Sequence, residues 1–131
     1  MSSMEAQHGA GISAQGVIIL ERQRRCSVNH LTNGAGELLL AALATCYCND
    51  IYREAAKRGI EVVSVEVEVE GDFDAEGESA KKAQYRAKVV AQASSEAIRA
   101  LMLHTDKVAE IQNTVRAAIP VVLNDIEAVS I

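Results

Sequence analysis

Two cysteines, Cys46 and Cys48, are the residues of this chain best suited to covalent chemistry. A cysteine thiolate is a nucleophile, whereas a thiol buried in apolar surroundings is an inert packing residue. Both lie near the middle of the segment ELLLAALATCYCNDIYREAAKRG, residues 37–59. Since residues two apart on a helix are separated by about 200° around its axis, the two thiols point to nearly opposite faces. They cannot serve one site together, so either one is a nucleophile or both are packing residues.

Motifs for metal, nucleotide or phosphate binding are missing from the sequence. The histidines are scattered, and no HExxH or paired CxxC spacing is present. The GAG tripeptides at 9–11 and 34–36 lack the later glycine of a dinucleotide-binding fingerprint. We therefore predict no cofactor and no metal. His30 or His104 could act as a general base, but a loop or surface residue without a catalytic role is the favoured interpretation of each.

The composition predicts one domain with an aliphatic core. The 131 residues are 49% hydrophobic but only 3% aromatic, which disfavours stacking platforms for bases or sugars. The formal net charge is −5 and the basic residues are dispersed, so nucleic acid and membranes are not expected partners. Neither a membrane-spanning run nor an apolar leader is apparent, and three cysteines make no disulfide framework. These features predict a cytoplasmic protein.

The elements that position the cysteines begin in the N-terminal third of the chain. Residues 1–14 are small and polar, and we predict a loose arm there, followed by one strand or two short strands over residues 16–30. A helix follows from about residue 35 to 58, and Gly59 ends it. Its first half, residues 38–44, is apolar on every side and needs cover on two faces. One sheet covers a single face, so a second copy of the helix is the economical partner for the other.

After this helix the hydrophobic period changes to that of strands. The run VVSVEVEVEG places the valines at 63, 65, 67 and 69 on one face and glutamates on the other, as in a half-buried strand. The run AQYRAKVVAQA, residues 83–93, alternates again. Antiparallel pairing of the two would place Arg86 and Lys88 beside the glutamates, which favours that register.

The C-terminal third predicts two short helices and then strand. Ser94 or Ser95 caps the first helix, and Thr105 or Asp106 caps the second. Pro120 stops the second helix, and the remaining residues predict one or two short strands. The predicted order is β(β)αββααβ, a single α+β domain over residues 1–131.

The segment GELLLAALATCYCNDIYREAAKRGIEVVSVEVEVEGDFD, followed later by EIQNTVRAAIPV, resembles the OsmC/Ohr superfamily of osmotically inducible and organic hydroperoxide resistance proteins. The resemblance covers roughly residues 34–123 and implies an intertwined homodimer with active sites between the subunits. It places the peroxidatic cysteine on Cys46, and on Glu37 the glutamate that holds an arginine over that cysteine. Nine helical residues separate the two by about 13 Å and half a turn, so the resemblance implies that they serve one site from different chains.

The chain departs from the family pattern in two places. The late dipeptide that carries the resolving cysteine is Ile119-Pro120 here, and the family's N-terminal arginine has no counterpart before Arg22. Arg22, Arg24 and Arg25 are candidate substitutes for that arginine, and the alternative is that they form a solvated basic patch. An external thiol, or Cys26 or Cys48 after rearrangement, would have to resolve an oxidised Cys46.

Three functional hypotheses follow. The first is a bacterial-type, oxidative-stress redox protein: a thiol-dependent reductase of organic hydroperoxides that uses Cys46. The second is a non-catalytic protein of the same fold that binds a small apolar ligand, or senses oxidants, at the dimer interface. In the third, the protein is a purely structural dimer and Cys46 only packs. A lowered pKa of Cys46 would favour the first hypothesis, because an apolar interface otherwise leaves little thiolate at neutral pH.

Overall fold

The computed structural model describes residues 5–8, 12–21, 26–28, 35–73, 77 and 79–131, with only the backbone for the segments before residue 35 and for Phe73. These residues form five strands and three helices, in the order βββαββαα. The architecture is the α+β class that the sequence predicts. None of the described helices is long and apolar enough to span a bilayer.

The described strands form one antiparallel sheet around β2. In chain order the first three are β1 (Glu5–His8), β2 (Ile12–Glu21) and β3 (Cys26–Val28). β4 pairs along all of β2, while β1 and β3 pair with its first and second halves. Residues 5–8 and 12–14 are therefore strand, and the prediction of a loose arm over residues 1–14 is corrected there. Backbone pairing needs no apolar pattern, so the small polar residues of this segment gave no signal of it.

The two long strands, β4 (Glu61–Phe73) and β5 (Ala80–Gln92), pair in the predicted register. Glu66 lies opposite Lys88 and Glu68 opposite Arg86, and the Arg86 Nε donates to a Glu68 carboxylate oxygen at 2.8 Å. At the start of β4, the residues that face inward differ from the prediction. A register shift between Val62 and Ser64 buries Val62 and leaves Val63 only half-buried, because a bulge reverses the alternation of faces.

The long helix α1 (Ala35–Lys57) matches the predicted helix and packs on β4 and β2. Its sheet side is fully buried and consists of Leu40, Ala44, Cys48, Ile51 and Ala55. The helix stops at Gly59, which has a φ of 66° that glycine adopts without strain, and the Ile60 N–H returns to the Ala55 carbonyl at 3.0 Å.

The approach of α1 to the sheet depends on Gly71 of β4. A Cβ at this position would lie 3.0 Å from the Leu40 Cδ2 and 3.1 Å from the Lys82 carbonyl oxygen. Glycine in mid-strand therefore lets the first half of α1 pack directly on β4.

The opposite side of α1 is open to solvent in the protomer. Leu38 and Leu39 are 52% and 40% exposed, and Ala42, Asn49 and Ala56 continue the same stripe at helical spacing. The side of α1 that faces away from the sheet is thus uncovered, and the apolar first half presents leucines on the side that the sequence predicts to need a partner.

Two shorter helices, α2 (Ser95–Val108) and α3 (Glu110–Ala117), pack on α1. Ser94 caps α2 as predicted, accepting from the Ala97 N–H at 3.1 Å. The predicted cap at Thr105 or Asp106 is wrong, since α2 continues to Val108 and the break is at Ala109. The reason is local: the Thr105 hydroxyl donates to the Leu101 carbonyl at 2.7 Å, within the helix, and is not available as a cap.

The last residues, 119–131, form no helix or strand, so the strand predicted at the end of the chain is not formed. Their large apolar side chains are exposed, including Val121 at 93% and Leu123 at 79%. A strand is stable only when a neighbour takes up its backbone hydrogen bonds, and no described strand pairs with this segment.

Candidate functional site

One face of α1 carries Leu43, Cys46, Tyr47 and Asp50 at spacings of three and four, and this face packs against α2 and α3. The Tyr47 hydroxyl donates to the Met102 carbonyl of α2 at 2.8 Å. The Gln112 side-chain Nε2 of α3 donates to the Leu43 carbonyl, also at 2.8 Å. These two bonds link the three helices around Cys46.

Cys46 of α1 is half-buried and packs against the first turn of α3. Its Sγ donates to Asp50 Oδ2 at 3.4 Å, one turn further along α1. The backbone N–H of Ile111, in the first turn of α3, donates to the same sulfur. A helix N-terminus favours a thiolate, yet burial and the nearby Asp50 and Glu110 carboxylates outweigh it and raise the Cys46 pKa.

Asp50 is 7% exposed and is the centre of the charged contacts around the thiol. The Arg53 Nη1 lies 3.2 Å from Asp50 Oδ1 and 2.8 Å from Glu110 Oε2, so one guanidinium bridges α1 and α3. Burial, together with a hydrogen bond to Glu110, raises the pKa of Asp50 to about 6. The pKa of Glu110 is lowered, so Asp50 is the member of this pair that binds a proton first as the pH falls.

Arg53 is held in turn by Glu54, which anchors a second set of contacts. Glu54 Oε2 accepts from the Arg53 Nε at 2.8 Å and from the Lys57 Nζ at 3.0 Å, and its Oε1 lies 3.0 Å from the His104 Nε2. The hydrogen bonds from Arg53 and Lys57 lower the pKa of Glu54 to about 2. His104 thus contacts Glu54, and the structure gives it no contact with Cys46.

The two cysteines of α1 lie as their spacing predicts. Cys48 is 0% exposed in the core on the sheet side, and Cys46 faces α3. Cys26 lies in β3, where only the backbone is described, and the candidate arginines at 22, 24 and 25 and His30 are outside the described residues.

Glu37, the other residue assigned to the site by resemblance, lies in the first turn of α1 and is 4% exposed. Its Oε2 is buried and has no hydrogen-bond partner in the described part of the chain. Nothing described brings it to Cys46 within the protomer, in line with their separation along the helix.

Three ligand atoms of the site, one each from Cys46, Asp50 and Glu110, lie within 4.8 Å of one another. A thiolate and two carboxylates are donors that a divalent cation accepts. Arg53 already pairs with both carboxylates and supplies a positive charge there. The contacts therefore favour a charged hydrogen-bond network over a metal centre.

A groove of about 80 Å³ opens one turn before Cys46 along α1. It lies between α1, α3 and the sheet, and its lining is mostly apolar: Leu43, Val69, Tyr85 and Val115, with Gln112 and Arg116. The Arg116 guanidinium pairs with Asp106 at 2.7 Å. The groove can take an alkyl or aryl group of a few carbon atoms, and its Leu43 wall is one helical turn from Cys46.

Asp50, Arg53 and Glu110 were missed by the sequence analysis. Asp50 follows Cys46 by four residues, a spacing that places two side chains together on a helix, and this signal was available. No local signal connects Glu110 with Cys46, because 63 intervening residues include two strands and a helix.

Comparison with known proteins identifies a family and a similar solved structure. The profile of the OsmC-like protein family matches residues 21–124. Among solved structures, an OsmC-like hydroperoxide resistance protein from Jannaschia sp. CCS1 superimposes with a TM-score of 0.64 at 16% identity, over 86% of this chain and 91% of that one. At this identity the likeness shows the fold alone. No curated protein matched the sequence.

Proposed function

The chain belongs to the OsmC-like protein family, and on that premise we propose that it is a cytoplasmic thiol-dependent reductase of organic hydroperoxides with Cys46 as the nucleophile. The observation that carries the proposal is the position of this cysteine. Cys46 is half-buried, receives an N–H from the first turn of α3 and lies one helical turn after Leu43, which lines an apolar groove. The hydroperoxide resistance of the Jannaschia protein adds support at the level of the family.

The reaction balances as two half-reactions. Sγ attacks the peroxide, the O–O bond breaks, and the products are a sulfenic acid on Cys46 and an alcohol. An external thiol then condenses with the sulfenic acid to release water, and a second thiol reduces the mixed disulfide. An external reductant is proposed because Ile119 occupies the place of the family's resolving cysteine and Cys48 is buried in the core.

We further propose that the working unit is an intertwined homodimer. The exposed leucines of α1 and the exposed apolar side chains of residues 119–131 are surfaces that a second copy would cover. The buried Oε2 of Glu37 requires a donor, and an N-terminal arginine that it holds over the partner's thiol would supply one. In this arrangement Glu37 of one chain serves Cys46 of the other.

The second candidate is a non-catalytic protein that binds a small apolar ligand or senses oxidants in the same place. It is favoured by the raised pKa of Cys46, since burial, together with Asp50 and Glu110, leaves less thiolate at neutral pH than an isolated cysteine would have. The groove would then be a binding site without turnover.

The test is stoichiometric oxidation of the reduced protein by cumene hydroperoxide, followed by intact mass and peptide mapping. Rapid oxidation at Cys46 that is lost in Cys46→Ser and kept in Cys48→Ser is expected. A chain that stays reduced, or is oxidised at all thiols equally slowly, would exclude the reductase and leave the binding protein.

A further inference from the structure

We propose that Asp50 is a catalytic residue of the Cys46 reaction, in which it accepts the thiol proton during attack on the peroxide and passes it to the departing oxygen. This inference rests on the proposed reductase function and deepens it. Its basis is the contact itself: Sγ donates to Asp50 Oδ2 at 3.4 Å, so the carboxyl touches the reacting atom.

The geometry of Asp50 is fixed from both sides. Oδ1 lies 3.2 Å from the Arg53 guanidinium, which leaves Oδ2 directed at the thiol. Arg53 is itself held by Glu54 and Glu110 at 2.8 Å each. A proton acceptor whose orientation is set before substrate arrives needs no rearrangement during the reaction.

The charges that face the thiol explain why a base is needed. Burial, together with the acidic groups Asp50 of α1 and Glu110 of α3, holds the proton on sulfur, while Arg53 is paired with these carboxylates. From α2, the described charged contact of His104 is with Glu54. The reactive thiolate is thus scarce, and removal of the proton must accompany the attack.

The pKa of Asp50, raised to about 6 by burial and by Glu110, suits both halves of the transfer. An ordinary aspartate has a pKa of 3.8 and is a poor base for a thiol. A group with a pKa near the working pH is partly ionised, and after taking a proton it is acidic enough to protonate an alkoxide.

Each proton and electron pair that moves in this step has a donor and an acceptor. The S–H proton moves to Asp50 Oδ2 while the sulfur electron pair forms the new S–O bond. The O–O bond breaks and its electron pair leaves with the alkoxide, which takes the proton from Asp50. Sulfur is oxidised to the sulfenic acid, the peroxide is reduced to an alcohol, and Asp50 returns to the carboxylate.

The test compares two reactions of Cys46 in the full-length protein, oxidation by cumene hydroperoxide and alkylation by iodoacetamide, between pH 4.5 and 9. In the wild type, the oxidation rate is expected to rise through an inflection near pH 6. Asp50→Asn should lose that inflection and slow oxidation by about 10²-fold. Alkylation should become faster instead, because removal of a nearby negative charge lowers the thiol pKa.

Three further variants complete the design. Asp50→Glu keeps the carboxyl and should recover part of the oxidation rate. Glu110→Gln should move the inflection to lower pH, since its hydrogen bond helps to raise the Asp50 pKa; this variant also tests the role if Asp50→Asn does not fold. Glu96→Gln, exposed on α2, is the matched control and should behave as the wild type.

The outcomes distinguish a failure of the reductase function from a failure of the Asp50 role. If wild-type Cys46 is not oxidised, the reductase function fails and the role of Asp50 fails with it. If the wild type is oxidised but Asp50→Asn reacts equally fast or faster at every pH, the function stands and Asp50 only suppresses the thiolate. Slower oxidation together with faster alkylation is the result that a purely structural role would not produce.

Discussion

The side-chain amide of Gln112 in α3 donates to the main-chain carbonyl of Leu43 in α1 at 2.8 Å, one turn before Cys46. Both residues are buried, so this bond joins two helices out of contact with water. It holds the first turn of α3, with Glu110 and Ile111, against the thiol. The chemical surroundings of Cys46 therefore depend on a contact between residues 69 positions apart.

Removal of this contact should loosen α3. Gln112→Ala is expected to lower the free energy of unfolding by about 2 kcal/mol, because it deletes a buried hydrogen bond and leaves a cavity. Urea denaturation measures the loss, and Arg99→Ala at an exposed position of α2 should change stability by less than about 0.5 kcal/mol. Equal midpoints for the two variants would show that α3 is held by other contacts.

The exposed stripe of α1 should form a dimer contact. Wild-type protein is expected to have the mass of a dimer by light scattering, and Leu38→Glu should shift it to monomer, because a charge in an apolar interface is left unpaired. Leu38 is 52% exposed in the protomer, so the fold itself should survive the change. Leu103→Glu on α2 is the control, at 56% exposure, and should remain dimeric. A folded, monomeric wild type would remove the reason given for the apolar stripe.

The proposed role of Glu37 can be tested by complementation between chains. Glu37→Gln should slow oxidation of Cys46, by up to about 10²-fold if it positions the group that stabilises the developing charge. A heterodimer of Glu37→Gln with Cys46→Ser contains one site with both native residues if they come from different chains, and should regain half of the wild-type sites. Failure of the mixture to recover activity would confine Glu37 to its own chain or to the first turn of the helix.

Asp50 should make stability depend on pH in an unusual direction. Its pKa rises from 3.8 to about 6 on folding, so ionisation is penalised and stability is lost as the pH rises from about 4 through 6. Asp50→Asn removes this loss, and its melting temperature should gain on that of the wild type as the pH increases through 6. If the difference in melting temperature between Asp50→Asn and the wild type is the same from pH 4 to pH 8, the raised pKa is contradicted.

Glu54 should have the opposite effect. The ordinary pKa of 4.5 falls to about 2 in the fold, so its contribution is present above pH 4.5 and is lost as the pH falls toward 2. Glu54→Gln is expected to be less stable than the wild type at pH 7 and to show a shallower loss in acid, measured by urea midpoints. If the urea midpoints of both proteins fall equally with decreasing pH, the contacts of Glu54 with Arg53, Lys57 and His104 contribute little to stability.

Features encoded by neighbours in the chain were predictable. The extent of α1 follows from apolar spacing and from Gly59, which ends the helix, and both agree with the structure. The register of β4 and β5 follows from alternation and opposite charges, and the separation of Cys46 from Cys48 follows from helical geometry. The resemblance to the family rests on the same local segment, which the matched profile includes.

Contacts between distant segments were decided only by the tertiary structure. The bulge that buries Val62, the break at Ala109 and the extended final residues each depend on which backbone groups find a partner. The site shows the same division. The spacing of Cys46 and Asp50 on one helix is written in the sequence, but the proximity of Glu110, which helps to raise both their pKa values, arises from the packing of α3 on α1. Sequence periodicity determines which face a side chain occupies, while the charge it meets there is set by the element packed against that face.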